Sequence, residues 1–272
     1  MFNNAGISAP PKTWDEFREQ IIKLTKQDSK GNIIQSGAAL GTADNITRSP
    51  DIISLLMLQN GAPMTDSNGF ASFNQMPPGT ERTVKPASEA LNFYNSFASP
   101  ATQVYTWNNK MPNSLESFMN GKTAFFFGYA YQILTIKARA PKLNFEITTA
   151  PQVGTPYNFA NYWAETVSKK SKNQNEAWDF INFITTNIDV NKVYLQKSHK
   201  PTALRDLITS QIDDLELSPF ANQILTAKSW YKGKNATATD QILMDMISNN
   251  LEGALPTDQI VNLAVQKINQ TY

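Results

Sequence analysis

Aromatic rings and polar side chains at the ends of predicted strands are the groups in this chain best suited to contact a ligand. They are Asn45, Arg48, Tyr129, Tyr131, Tyr162 and Trp163, with Trp230 and Tyr231 later in the chain. Aromatic faces pack against the apolar face of a sugar ring, and amides and charged groups satisfy its hydroxyls. The set predicts a concave site that binds without making or breaking bonds. The alternatives are that the tyrosines cap the core and that Trp163 packs in the core or between lobes.

The motifs of common enzymes are absent from the sequence. It has no phosphate loop, no dinucleotide glycine fingerprint and no Gly-x-Ser-x-Gly elbow. Asp213, Asp214 and Glu216 form a carboxylate cluster without the ligand spacing of a calcium loop, which favours a surface turn. His199 lies between lysines in a polar break and is predicted to be a surface or hinge residue. We therefore predict no catalytic residue, no metal site and no cofactor.

The amino-acid composition excludes several classes of partner and metal site for this chain. The chain has 24 Lys and Arg against 23 Asp and Glu, so it is nearly neutral, which argues against nucleic acid. It has no cysteine and one histidine, which removes disulfides, thiolate zinc sites and multi-histidine metal sites. No apolar run reaches the roughly 18 residues of a membrane span, and no signal peptide follows Met1.

The stretch from Ser114 to Gln132 organises the predicted elements. A short helix ends at Asn120-Gly121, and the apolar run Thr123–Phe127 then predicts a strand buried on both faces of a parallel sheet. Gly128 turns the backbone into a helix over 132–138. The strand predicted over 33–40 is likewise followed by a loop, which reaches Arg48. Both loops are expected at the carboxyl edge of the sheet, where open α/β proteins bind ligands.

The remaining pattern predicts an α/β fold with a helical carboxyl-terminal part. Thr13 and Glu16 form a capping box that starts a helix over 13–26. Two further strands are expected over 142–147 and 164–167. Further helices are predicted over 52–59, 81–97, 176–184, 191–197, 239–250 and 257–268, with short helices between 204 and 231.

Several motifs, in order, resemble the sugar-binding extracellular solute-binding proteins of ABC transporters, the family of the maltose-binding protein. They are Pro10-Pro-Lys-Thr-Trp-Asp-Glu-Phe17, Leu58-Gln-Asn-Gly61, Phe118-Met-Asn-Gly-Lys-Thr-Ala124 with Gly128-Tyr-Ala-Tyr131, Val167-Ser-Lys with Ala177-Trp-Asp-Phe-Ile-Asn-Phe183, and Pro201. The resemblance covers essentially the whole chain. It implies a type II periplasmic-binding-protein-like fold, in which two α/β lobes close on a ligand.

The resemblance also implies how the chain divides between lobes. Residues 1–12 would cross between lobes, 13–150 and 195–272 would form the carboxyl-terminal lobe, and 151–194 would be a remnant of the amino-terminal lobe. Family members carry roughly one hundred residues before this region, the size of a small domain. The resemblance therefore implies a truncated chain that lacks most of the amino-terminal lobe, with apolar surface exposed in 151–194.

By resemblance the chain is a monomeric, extracytoplasmic binding component, in the periplasm or on a lipid anchor. It would bind a sugar or oligosaccharide in the cleft between lobes and deliver it to ABC permease subunits without converting it. The implied ligand contacts are Asn45, Arg48, Tyr129, Tyr131, Trp163 and Asp240. The alternatives are a carbohydrate-active enzyme, a sensor or adhesion lipoprotein, and binding of a peptide or polyol.

Overall fold

The computed structural model describes residues 1–272. Short 3-10 turns occupy Asn3–Ala5, Arg205–Leu207 and Ile224–Thr226, and the strands are β1 (Lys26–Gln27), β2 (Ile33–Ala38), β3 (Thr123–Phe125), β4 (Asn158–Phe159) and β5 (Ala227–Lys228). The helices are α1 (Trp14–Leu24), α2 (Ser49–Gln59), α3 (Pro86–Ser96), α4 (Ser114–Met119), α5 (Tyr131–Arg139), α6 (Gln174–Thr186), α7 (Ile188–Ser198), α8 (Thr209–Ile212), α9 (Ser218–Ala221), α10 (Ala236–Glu252) and α11 (Thr257–Asn269).

The chain forms two compact units. Unit 1 consists of Met1–Gly128, Ala150–Phe159 and Lys228–Tyr272, and unit 2 of Tyr129–Thr149 and Ala160–Ala227. These boundaries differ from those expected for the lobes, because all of 195–227 lies in unit 2 and the start of 151–194, up to residue 159, lies in unit 1. The assignment of segments to lobes stays a prediction.

The main sheet of unit 1 has the strand order β1-β2-β3. β2 and β3 are parallel, with Ser36 opposite Thr123 and Ala38 opposite Phe125, as the apolar run predicted. The strand was predicted to continue to Phe127, but β3 ends at Phe125. Phe127 packs instead against Trp14, with ring centroids 5.8 Å apart, so ring packing and not backbone pairing holds this partly buried residue.

Helix α1 begins as its capping box predicts. The Thr13 hydroxyl accepts a hydrogen bond from the Glu16 amide (3.2 Å). The Glu16 carboxylate reaches back one residue further than expected, to the Lys12 amide (2.7 Å). The apolar stripe of α1 then buries Trp14, Phe17 and Ile21 against the sheet and α2. The Trp14 indole donates to Gln59 of α2 (2.6 Å), which fixes the two helices in register.

Two late helices complete the core of unit 1. α10 and α11 pack on each other and on α3. Five side chains of α11 are buried: Ile260, Val261, Ala264, Val265 and Ile268. At the end of α11, the Asn269 side chain accepts a hydrogen bond from the Ala71 amide (2.8 Å) and donates one to the Ala71 carbonyl (3.0 Å). These are the two hydrogen bonds that a neighbouring strand would otherwise make with Ala71. The unit is therefore closed by residues far apart in sequence.

Unit 2 contains helices α5–α9. The strands predicted over 142–147 and 164–167 are wrong, because neither segment pairs with another strand in a sheet. Helices α6 and α7 bury no side chain, and Trp178, Phe180 and Phe183 of α6 are exposed. Apolar surface was expected in this segment.

None of the helices in the chain is both long and apolar enough to cross a bilayer.

Candidate functional site

Four charged side chains of unit 1 form an interconnected group, here called the charge cluster: Arg48, Asp51, Lys232 and Asp240. Arg48 donates through Nε (2.7 Å) and Nη2 (2.6 Å) to Asp51 Oδ2. Lys232 Nζ bridges Asp51 Oδ1 (3.2 Å) and Asp240 Oδ1 (2.6 Å). Arg48 Nη1 lies 4.0 Å from Asp240 Oδ2. The structure thus brings together two predicted ligand contacts, Arg48 and Asp240.

The other two members of the cluster, Asp51 and Lys232, are not among the residues predicted from the sequence. Asp51 follows Arg48 by three residues in the first turn of α2, a spacing that brings side chains together on a helix, so a local signal was available. Lys232 is 181 residues from Asp51, and no local pattern indicates that pairing. Arg48 itself caps α2 in the left-handed region, at φ 63°, a conformation that costs a non-glycine residue about 1–3 kcal/mol.

Asn45 lies near the cluster in sequence, but its side chain makes four internal hydrogen bonds. Its oxygen accepts from the Thr42 hydroxyl (2.5 Å) and the buried Trp107 indole (3.1 Å). Its amide nitrogen donates to the carbonyls of Asn108 and Met111, each at 2.9 Å. This is the full capacity of an amide side chain. Asn45 therefore holds the loop before α2, and its contact with a ligand stays a prediction.

Tyr129 and Tyr131, here called the ring pair, lie in unit 2 at the start of α5. Their planes are 15° apart and their centroids 6.1 Å apart, so the rings are stacked. The Tyr129 amide donates to the Gln132 side chain (2.8 Å), which ties the residue before the helix to its first turn. Tyr131 is 50% exposed. The pair presents a flat, partly exposed aromatic face of the kind that sugars contact.

The other rings of the predicted set divide between surface and core. Trp163, in unit 2, is 95% exposed, so it packs in no core. Trp230, in unit 1, is a core residue: it is buried, donates to Ser54 of α2 (3.1 Å) and meets Phe73 edge-on. Two open cavities of about 300 Å³ each contain none of the predicted contacts; they are lined by residues including Lys137, Phe145 and Glu216 in unit 2 and Tyr105, Asn108 and Lys110 in unit 1.

The carboxylate cluster around residue 214 is a structural turn. Asp214 Oδ1 accepts from the amides of Glu216 (2.8 Å) and Leu217 (3.0 Å). Glu216 is paired with Lys137 of α5 and lies 3.0 Å from Nε2 of His199, which ends α7. This supports the interpretation as a surface turn and places the histidine at a junction between helices. No group of three or more His, Cys, Asp or Glu has a metal-binding arrangement anywhere in the chain.

These contacts make the stability of unit 2 depend on pH. The hydrogen bond from Lys137, more than that from His199, holds the pKa of Glu216 below its usual 4.5. For Asp214, burial raises the pKa, but the Leu217 and Glu216 amides together with the nearby His199 and Lys137 outweigh it, and the net shift is downward. A carboxyl whose folded-state pKa is lowered stabilises the fold above its unfolded pKa. That contribution is lost as the pH falls through the folded-state value.

We therefore expect unit 2 to weaken as the pH falls below 4.5, the usual glutamate value. Urea unfolding of the native chain and of Glu216→Gln measures this. At neutral pH the variant should be less stable by about 1 kcal/mol or less, since the pair is partly exposed. The difference should shrink to zero in acid. A difference independent of pH would contradict the assignment to Glu216.

Solved structures share this fold. The sugar-binding protein MalE of Xanthomonas citri superposes with a TM-score of 0.74 at 18% identity, over 99% of this chain and 66% of that one. An ABC transporter solute-binding protein of Thermotoga lettingae, solved with α-D-tagatose, superposes with a TM-score of 0.68 at 18% identity, over 99% of this chain and 67% of that one. MalE of Bdellovibrio bacteriovorus, solved with maltotriose, superposes with a TM-score of 0.67 at 16% identity, over 97% of this chain and 67% of that one. The predicted type II periplasmic-binding-protein fold is confirmed.

Sequence comparison leads to the same group. A Deinococcus radiodurans protein named "Probable ABC transporter-binding protein" is 23% identical over 243 residues, which are 88% of this chain and 55% of that protein. The chain thus spans about half the length of the curated relative that it matches. A family model described as "Bacterial extracellular solute-binding protein" matches residues 1–189. The predicted resemblance is confirmed: the chain belongs to the bacterial extracellular solute-binding protein family.

Proposed function

We propose that this chain belongs to the solute-binding component of an ABC importer, and that it binds a sugar or oligosaccharide without converting it. It would act outside the cytoplasmic membrane and deliver the sugar to permease subunits. The observation that carries the proposal is the ring pair, because stacked, partly exposed tyrosines suit the apolar face of a sugar ring. Sugars are bound in related structures: tagatose, maltotriose and, in a protein named CpMnBP1, mannobiose.

Binding without conversion is also supported by the charge cluster. Glycoside hydrolysis by the usual route needs one carboxylic acid to donate a proton and a second carboxylate on the other side of the bond. Asp51 and Asp240 are instead both bound to the same lysine ammonium, Lys232. We propose Arg48 and Asp240 as hydrogen-bonding contacts to sugar hydroxyls, and Tyr129, Tyr131 and Trp163 as aromatic contacts.

The test is calorimetric titration of the 272-residue chain with maltotriose, mannobiose and tagatose. We expect at least one to bind and to be recovered unchanged. Tyr131→Ala should weaken that binding about tenfold, equal to the 1.4 kcal/mol of one good ring contact. Tyr131→Phe should keep it, since the stacking face is retained.

Tyr194→Ala is the matched control, because Tyr194 is about equally exposed in the same unit but lies on α7. Its affinity should match that of the native chain. The proposal fails if no sugar binds to the folded chain, or if the sugar is hydrolysed. Equal losses in Tyr131→Ala and Tyr194→Ala would remove the ring pair from the site.

A further inference from the structure

The charge cluster is balanced. Arg48 and Lys232 carry two positive charges, and Asp51 and Asp240 carry two negative charges. Asp51 contacts both cations, and Lys232 contacts both carboxylates. Each charge in the group therefore has an opposite charge within 3.2 Å among its own members. A group of this kind offers no net charge to an incoming ion.

Exposure orders the four residues from inside to outside. The side chains of Asp51 and Lys232 are only 4% and 14% exposed, whereas those of Asp240 and Arg48 are 26% and 35% exposed. The inner pair is thus shielded, and the Lys232 ammonium is further covered by the Phe159 ring, 5.5 Å away. Only the outer pair is accessible enough to meet a ligand.

The outer pair also has the loosest contact in the cluster. Arg48 Nη1 and Asp240 Oδ2 are 4.0 Å apart, beyond hydrogen-bond distance. A hydroxyl group beside this gap can accept from the guanidinium and donate to the carboxylate, and such bonds to charged groups are the strong ones. A ligand carboxylate or phosphate placed beside this gap would lie about as close to the Asp240 carboxylate as to the Arg48 guanidinium. Attraction and repulsion then nearly cancel, while the anion still loses its hydration.

We propose that the charge cluster restricts the site to uncharged sugars and rejects sugar acids and sugar phosphates, with Asp240 as the residue that sets this preference. Lys232 and Asp51 act through their neighbours: they hold the outer pair in place and keep the group neutral. This inference rests on the proposed function. It adds the ligand's charge class and names the residues that select it.

The experiment compares each neutral sugar with a charged derivative of itself. Maltotriose and mannobiose are titrated beside the same sugars oxidised at either end to a carboxylate. The measured quantity is the ratio of the two dissociation constants, in the native chain and in Asp240→Asn. The asparagine keeps the size of the side chain and removes one negative charge. Since both proteins see the same two ligands, differences in ring shape cancel from the comparison.

We expect the native chain to prefer the neutral sugar and Asp240→Asn to shift the ratio toward the acid by about tenfold, because a cation is released to the ligand. Asp245→Asn is the matched control. It removes the same charge from the same helix, at an exposed side chain bonded to Gln241, and should leave the ratio unchanged. Circular dichroism of all three proteins verifies folding.

The outcomes separate the two proposals. Binding of a neutral sugar with the same ratio in the native chain and Asp240→Asn would overturn the charge selection and leave sugar binding intact. A native chain that prefers the oxidised sugar would also overturn it. If no saccharide binds to the folded native chain, the proposed function fails, and the charge selection fails with it.

Discussion

Replacing Asp51 with alanine is expected to lower the free energy of unfolding by about 3 kcal/mol, the scale for breaking a buried ion pair from one side. The carboxylate is almost fully buried and serves two cations, Arg48 and Lys232. The arginine can turn toward water, but the lysine is itself shielded and keeps only its bond to Asp240. Urea unfolding monitored by fluorescence measures the loss.

A matched control and a second variant give the Asp51 result its meaning. Asp245→Ala, at an exposed site on α10, should cost less than about 0.5 kcal/mol. Combining Asp51→Ala with Lys232→Met should recover part of the loss, because the uncompensated ammonium is removed together with its partner. A loss no larger than that of Asp245→Ala would contradict a structural role for the cluster.

Gly41→Ala should be comparably damaging, at about 4 kcal/mol, because strain and overpacking add at this position. Gly41 follows β2 with φ at +107°, where L side chains are strained. A Cβ would also lie 2.6 Å from the amide nitrogen and 2.7 Å from the Cβ of Ala98. The backbone that follows α3 would have to move away from the sheet. Thermal unfolding followed by circular dichroism measures the effect.

Two other glycines allow the cost of backbone strain to be measured separately from the cost of overpacking. Gly61 has φ at +81° and open space around its Cβ position, so Gly61→Ala should show the strain alone, about 1 kcal/mol. Gly37 lies in β2 outside the left-handed region, with the Ile21 carbonyl oxygen 2.8 Å from its Cβ position, so Gly37→Ala should show the overpacking. A Gly41→Ala loss no greater than that of Gly61→Ala would mean that the contact with Ala98 relaxes freely.

Elements with a strong local signal were predictable from the sequence. The capping box and apolar stripe placed α1, and the aromatic run indicated β3 as a strand of a parallel sheet; its pairing with β2 came from the structure. The expected strands over 142–147 and 164–167 failed for a physical reason. Alternating side chains make a strand possible, but a strand forms only where another backbone accepts its hydrogen bonds, and that depends on the rest of the fold.

The candidate site shows the same division. That Arg48 follows β2 and that the tyrosines follow β3 was predictable, because each strand is marked by a local apolar run. Their contact with a ligand stays a prediction. The charge cluster was not predictable, since its bond between Asp51 and Lys232 joins residues 181 positions apart. Nor was the saturation of Asn45, whose partners include the indole of Trp107 and two carbonyls in the following loop. Residue type alone could not distinguish a ligand contact from an internal clamp.

The late position of α11 also constrains when the protein can fold. Synthesis delivers the chain from its amino end, and domains fold in that order when their contacts are local. The core that begins at Trp14 lacks five of its buried side chains until residues 260–268 have left the ribosome. Until then the nascent chain cannot complete unit 1.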